Sequence, residues 1–453
     1  MNRVTVLCLF SGPWEALKEE SIQQIYFVDP SHPEELFRLL REIPQDLLII
    51  QSPQVRLFPH ALVRFTETPG ALVFSDYEED GHHRALVEDI GDITERFKLG
   101  PVFLLRRKAL EAVGGIRPYR YAWLYDVRLR FQEQDLPVVH IPEPLYRVTR
   151  KEDPHQRYTF SDSFEYLFYG KAAEREYERV FKEMLRRRGA LLDGTYDPLP
   201  DPQTYPVTVS VVIPVRNRQD FIGEALESVL RQTFQDFEVV VVDASSTDQT
   251  PEIVRQFQRK DPRVRLVTKP PGNIAEAINV GIRNARGKYI AQLDSDDFYE
   301  PDTLEHMVQA MERNLDAGLA ISYYRIVDPQ GRPVPLDPVT HLEFDRNNIL
   351  RVDGAGALRF FRKRVFEILG PFSEQAFGDY GEDYDMVLRI SEHFRVIRVH
   401  KVLYNYRRHP GSTDAMREYR LKALQKTRIR LLALARRQML NRTRQMASGL
   451  PAP

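Results

Sequence analysis

The chain has a single cysteine, Cys8, among 453 residues. No intrachain disulfide and no multi-cysteine zinc site can be made from it, and such scarcity fits a reducing compartment. There is no excess of charge of either sign: 64 Lys+Arg face 65 Asp+Glu, a net charge of −1. That removes the electrostatic case for a general nucleic-acid binder. No apolar run approaches the roughly 20 residues that span a bilayer. The run 4–10 follows Arg3 but is short for a signal core, and Ser11-Gly12-Pro13 offers no Ala-x-Ala cleavage pattern. It reads as a buried strand and a turn. What is present is 42% hydrophobic and 11% aromatic residues, enough for folded cores, over a length that calls for two or three domains. A cytoplasmic protein is expected, with a peripheral place on the inner face of a membrane as the alternative.

Between two halves, 189–206 carries four prolines and two glycines. It can sustain neither helix nor central strand and reads as a linker. Just before it, 162–188 has helical composition and ends in Arg186-Arg187-Arg188, cations that suit a helix C-terminus. After it, apolar strands at 207–215, 237–243, 264–268 and 289–293 alternate with helical stretches at 220–232, 251–259 and 274–285. Near-continuous β-branched strands separated by helices imply a parallel sheet covered on both faces. Ligands of such sheets sit beyond the carboxyl ends of the strands.

The halves resemble each other. Gly100 to Gly114 aligns with Gly356 to Gly370 at a constant offset of 256, Tyr125-Asp126 with Tyr384-Asp385, and Leu145-Tyr146 with Leu403-Tyr404. At the front, Phe27-Val28-Asp29 aligns with Val241-Val242-Asp243. Several matching segments in one order indicate duplication. From Asp29 to Gln51 is 22 residues and from Asp243 to Asp294 is 51, so the first half lacks 51 − 22 = 29 residues, the span of one strand and one helix. Gln51-Ser52-Pro53-Gln54 stands where the second half has Asp294-Ser295-Asp296-Asp297, and Trp123-Leu124 where it has Glu382-Asp383. Of the acids that could do chemistry, only Asp29 survives.

Three polar clusters in the second half carry the chemistry. Three carboxylates within Asp294-Ser295-Asp296-Asp297 repel one another unless a cation is near. An all-oxygen ligand set suits Mg²⁺ or Mn²⁺ shared with a diphosphate, although the same residues serve equally as an acidic loop or helix cap. Asp243, at a strand end, can grip a base or ribose, while Ser246, Thr247 or Asp248 can cap the helix that follows. Glu382-Asp383 precedes an apolar helical segment, where acids favour the helix dipole. There they can also act as a general base.

Together and in this order, these motifs resemble family 2 glycosyltransferases over about 207–412. The likeness includes the run from Val209 to Arg218, the Asp243 segment, Gly272-Asn273 through Gly281, Asp294-x-Asp296, Glu382-Asp383, and the stretch from Tyr404 to Ser412. It implies an α/β chain: a GT-A (Rossmann-like) catalytic domain at 207–412, preceded at 1–188 by a smaller, degenerate GT-A-like domain that is non-catalytic. A basic helical tail at 413–453 follows. It further implies a metal-dependent, inverting transfer from a nucleotide-sugar, most often a UDP-sugar, to a carbohydrate or glycoconjugate acceptor. Pro214, Arg216 and Asn217 would line the nucleotide pocket, Asp243 would contact the base, and Asn273 would join the donor site. Asp294 and Asp296 would hold ribose, diphosphate and Mn²⁺ or Mg²⁺. Arg407 and His409 would reach the diphosphate or metal from the far side. Asp383 would be the base, with Glu382 beside it.

A bifunctional glycan polymerase with two transferase sites is the sharper alternative, but the first half has no second metal motif. A nucleotidyltransferase acting on a sugar phosphate is another, but Pro214-Val215-Arg216-Asn217-Arg218 lacks the Gly-rich loop expected after its first strand. The tail has ten Lys+Arg and one acid, Glu418, over 417–444. Packing across the catalytic half, in parallel with 162–188, is favoured over lying on an anionic membrane.

Overall fold

The computed structural model describes residues 4–10, 22–29, 33–149, 166–334, 338–377 and 380–448. The chain divides into two compact units, 1–191 and 192–453. The turn expected at 11–13, the start of the 162–188 stretch and the chain end 449–453 lie outside the described residues.

The first unit contains strands β1 (Val4–Cys8), β2 (Ile22–Phe27), β3 (Asp46–Ile50), β4 (Val55–Leu57), β5 (Leu72–Glu79), β6 (His82–Arg84), β7 (Val102–Leu105) and β8 (Val138–Val148). Its helices are α1 (Pro33–Glu42), α2 (Ala61–Glu67), α3 (Arg107–Ala112), α4 (Trp123–Glu133) and α5 (Lys171–Arg187). The sheet runs β2-β1-β3-β7-β5-β8-β4, with β6 hairpinned onto β5. β1 and β3 are five-residue apolar strands whose residues are almost all buried, as expected of strands covered on both faces. Cys8 is buried in β1, and burial pushes its thiol up to about 12, so it stays a packed, unreactive thiol.

The second unit contains β9 (Val207–Val215), β10 (Phe237–Asp243), β11 (Val264–Thr268), β12 (Gly287–Gln292), β13 (Phe298–Tyr299), β14 (Ala317–Val327), β15 (Arg359–Arg362) and β16 (Arg395–Arg407). Its helices are α6 (Ile222–Leu230), α7 (Thr250–Lys260), α8 (Ile274–Asn284), α9 (Thr303–Arg313), α10 (Ile349–Val352), α11 (Arg364–Leu369), α12 (Glu382–His393), α13 (Thr413–Met416) and α14 (Tyr419–Ser448). The four expected strands are present, and the three expected helices lie within their assigned stretches or extend them by one residue. The sheet is mixed, not wholly parallel. β11, β10, β9 and β12 are parallel, and β15 then enters antiparallel between β12 and β14.

The sheet orders are β2-β1-β3-β7-β5-β8-β4 and β11-β10-β9-β12-β15-β14-β16-β13. Dropping β11 makes them equivalent strand for strand, with the same parallel or antiparallel sense at every pair. Register agrees as well. Leu104 pairs with Leu48, and Phe360, its equivalent 256 residues on, pairs with Ala291. Counting three residues onward places Gln51 where the second unit has Asp294. The missing strand and helix inferred from spacing are thus β11 and a neighbouring helix.

Two features add to the sequence expectations here. Within the expected linker 189–206, which carries no helix or strand, 192–206 is tethered to the second unit. The Leu192 N–H donates to Asn347 Oδ1 at 2.9 Å, the Asn347 amide donates back to the Leu192 carbonyl, and Asp197 binds His393 at 2.7 Å. Proline forbids helix and strand there but not side-chain tethers. The basic tail does pack across its unit, as α14, but its cations are not simply solvated. Arg437 is fully buried and donates to the Arg346 carbonyl, Arg430 donates to the Leu350 carbonyl, and Arg436 pairs with Glu392 and Asp385. No helix among the described residues is long and apolar enough to cross a membrane.

Candidate active site

The acids gather where β9, β10 and β12 end. β12 is a buried run whose last residues lead straight into Asp294-Ser295-Asp296-Asp297. Asp297 and Arg407 fix that loop. Asp297 is buried; its Oδ1 accepts the Arg407 backbone N–H at 2.7 Å and its Oδ2 the Tyr404 hydroxyl at 2.8 Å. The Arg407 guanidinium donates to the Asp296 and Pro329 carbonyls and pairs with Glu224, lying between the rings of Phe221 and Phe298. Every nitrogen of its side chain is engaged and the residue is 2% exposed. Arg407 was expected to meet a diphosphate; it is instead the buried clamp of the acidic loop. Asp297, to which the sequence reading gave no role, anchors the loop to β16.

Asp296 points the other way. His409 Nε2 lies 2.9 Å from its Oδ2, with Arg218 Nε at 3.4 Å. His409 is tilted against Phe221 at 4.6 Å, and Arg218 also donates to the Gly411 carbonyl at 3.0 Å. Arg218, missed from sequence, ties the β9 loop to the His409 segment. Asp294 is half-buried. Burial, with Asp296 adding to it, pushes its carboxyl up to about 6. Its Oδ1 has no hydrogen-bond partner. Among the described residues no group of three His, Cys, Asp or Glu is placed to hold a metal ion by itself, in keeping with an ion shared with a diphosphate. Asp296 faces His409 and Arg218, while Asp294 faces Arg359.

Asp383 and Glu382 open α12 after Gly381, whose φ of 88° is left-handed. Any Cβ at Gly381 would meet Ile429 Cδ1 at 2.4 Å, so glycine is needed on both counts. Asp383 forms an ion pair with Arg359 of β15. Glu382 is buried, and burial with the neighbouring Asp383 charge holds its carboxyl well above the usual range. Arg359 faces Asp383, Asp294, Asp353 and Glu382 together. Sequence reading passed over it because it sits in an apolar strand segment, Arg359-Phe360-Phe361-Arg362, that looks structural.

On the donor side, Asp243 ends β10, is buried, and accepts the Ser246 N–H at 3.1 Å. Pro214 is a buried residue of β9, register-paired with Val242, and Arg216 is exposed. Asn217, at φ 53°, stitches the β9 and β10 loops: its N–H donates to Ser246 Oγ and its Oδ1 accepts the Thr247 N–H, both at 2.8 Å. Asn273 does not join them. Its Oδ1 accepts the Glu276 N–H as the N-cap of α8 and its amide donates to the Glu374 carbonyl at 2.8 Å, so both ends of the side chain are structural. A cavity of about 410 Å³ lined by Tyr196, Phe344 and Arg398 contains none of these acids.

This arrangement has a match among known families. The profile described as "Glycosyl transferase family 2" matches residues 210–370, which hold Asp243, Asp294, Asp296 and Arg359. The chain carries a family 2 glycosyltransferase domain. The chain is 33% identical over 206 residues to a chondroitin synthase of Pasteurella multocida, covering 46% of this chain and 21% of that protein. It is 32% identical over 206 residues to a chondroitin synthase of Escherichia coli, covering 46% and 30%. An uncharacterized glycosyltransferase of Rickettsia prowazekii is 30% identical over 220 residues, covering 46% and 66%. The chain thus spans about a fifth to a third of the two synthases. S. aureus TarS 1–349 in complex with UDP-GlcNAc is 21% identical with a TM-score of 0.42, covering 52% of this chain and 70% of that one.

Proposed function

We propose that the second unit moves a sugar from a nucleotide-sugar, UDP-linked, to a hydroxyl of a carbohydrate or glycoconjugate acceptor, inverting the anomeric centre, in polysaccharide synthesis. The observation that carries this reading is the joining of two motifs far apart in sequence, Asp294-x-Asp296 and Glu382-Asp383, around Arg359. The chondroitin synthase names of the relatives favour a glycan product. In this reading Asp383 takes the proton from the acceptor hydroxyl as that oxygen bonds to the anomeric carbon and the sugar–phosphate bond breaks. Asp243, the Asn217 loop and Arg216 receive the base and ribose.

A divalent ion, Mn²⁺ or Mg²⁺, fits only if the donor diphosphate completes its shell. The buried, orphan Oδ1 of Asp294 and the facing pair Asp296 and His409 supply oxygen and imidazole ligands, but too few alone. Asp296, with His409 and Asp294, would hold it. When bound it would neutralise charge on the departing nucleoside diphosphate.

The first unit serves as a scaffold or acceptor-docking module. Gln51, Leu124 and Phe103 stand at the positions of Asp294, Asp383 and Arg359, which leaves no acid to ligate or accept a proton there. A donor panel with Mn²⁺ or Mg²⁺, followed by chelator, tests the reading through nucleoside diphosphate release. A UDP-sugar should support release that chelator abolishes. Asp296→Ala should weaken metal-dependent donor binding, and Asp383→Asn should abolish transfer while sparing that binding. Full turnover by Asp383→Asn would remove the assigned base.

A further inference from the structure

We infer that Arg359 is a positioning residue for transfer: it fixes the Asp383 carboxylate and supplies the positive charge around which the crowded acids are arranged. This rests on the transferase reading above. Three nearby acids have partners of their own. Asp353 has Lys426 at 2.8 Å, Asp296 has His409 and Arg218, and Asp297 has Tyr404 and the Arg407 backbone. The cation paired with Asp383 is Arg359, whose side chain is 11% exposed.

Two residues of this cluster each carry an orphaned polar atom. Arg359 Nε and Asp294 Oδ1 are both buried without hydrogen-bond partners, and each residue's charge is felt by the other. A buried guanidinium nitrogen left bare costs free energy unless something polar comes to it. The donor sugar or the acceptor hydroxyl would enter between them.

The first unit supplies an internal control. At the offset of 256, β15 reads Arg359-Phe360-Phe361-Arg362 where the first unit reads Phe103-Leu104-Leu105-Arg106. The second arginine is kept, and it is structural in both. Arg362 donates to the Ala317 carbonyl, and Arg106 donates to the Thr66 and Thr68 carbonyls while pairing with Asp46. The first arginine is lost, to Phe103, together with the counterparts of Asp294 and Asp383. If Arg359 served the sheet, its loss would not have to accompany that of the acids. It goes with them because it belongs to them.

The test compares full-length Arg359→Met, Arg359→Lys, Asp383→Asn and the Arg359→Met/Asp383→Asn pair with the unaltered protein. The UDP-sugar that supports release is the probe, and thermal midpoints are recorded alongside. Arg359→Met should lose on the order of 100-fold in kcat with donor KM moving by less than about threefold. Arg359→Lys should recover at least about tenfold of that loss, since it keeps the charge but not the fork. Adding Arg359→Met to Asp383→Asn should cost nothing further in residual release, because the two act as one unit. If Arg359→Met melts below the assay temperature, Arg359→Gln takes its place in the same comparison. A loss confined to KM, no rescue by lysine, or full additivity in the pair would overturn the role. Absence of release from every donor by the unaltered protein would overturn the transferase reading, and the role with it.

Discussion

Arg407 and Arg359 look alike in sequence and behave differently. Arg407 is saturated by the Asp296 and Pro329 carbonyls and Glu224, so removing its guanidinium leaves those two carbonyls without their donor. Arg407→Leu should cost about 1–3 kcal/mol of stability for the carbonyls it leaves unsatisfied, read by urea unfolding, whereas Arg359→Lys should leave stability within about 1 kcal/mol. His341 gives a second prediction at this scale. Buried against Tyr324, with Arg398 nearby, its imidazole is pushed down to about 3. It is neutral in the fold but protonates freely near 6.5 once unfolded. Protons therefore bind preferentially to the unfolded chain, and stability falls as pH drops below about 6.5 and on towards 3. His341→Gln should flatten the fall in unfolding free energy between pH 7 and 4.5, a slope measurable by denaturant titration. The acids of the site could be read from sequence because like charges crowded at a strand end need a reason. The bonds of Asn273 and Arg407 could not, because whether a polar side chain faces ligand or backbone depends on neighbours about 100 residues away, such as Glu374 and Asp297.

The β9–β12 strands and their helices follow their apolar periodicity to within a residue or two, since buried parallel strands leave little choice of face. The antiparallel entry of β15 between β12 and β14 is different. It depends on long-range pairing that no local pattern encodes. Two glycines show how tightly the site's supports are packed. A Cβ on Gly281 of α8 would lie 2.3 Å from Val212 Cγ1, and one on Gly287 at the start of β12 would lie 2.5 Å from the Ser210 backbone nitrogen. Gly281→Ala should lift α8 from the sheet at about 1–3 kcal/mol. Gly287→Ala should be worse, because backbone cannot rotate aside as a valine can. It would also disturb Ser210 Oγ, which accepts the Gly287 N–H at 2.8 Å and donates to Glu238 at 2.7 Å. Thermal midpoints of the two variants rank them.

At the scale of the whole molecule, the near-zero net charge conceals a sorting of charges. Acids collect at the ends of β12 and at the start of α12. The cations of α14 answer carboxylates and carbonyls elsewhere in the same unit: Lys426 meets Asp353, Arg436 meets Glu392, and Arg444 meets Asp197. Since Ile429, Ala433 and Arg437 are buried, deleting 419–453 should expose core and leave the second unit unable to melt cooperatively by calorimetry. A sharp transition retained after the deletion would show α14 to be a mere appendage.

That no β11 equivalent lies among the described residues of the first unit has a cost of another kind. In the second unit the outermost strand, β11, carries Arg265, bonded to Glu238, and is followed by Lys269, bonded to Glu276, charges that discourage another strand from adding on. With that layer gone, the outermost described strand of the first unit is β2, Ile22-Gln-Gln-Ile-Tyr-Phe27. It has no charge, no proline, and Phe27 45% exposed. Among the described residues the first unit therefore lacks the charged outer strand that guards the second, and β2 stands at the rim of its described sheet.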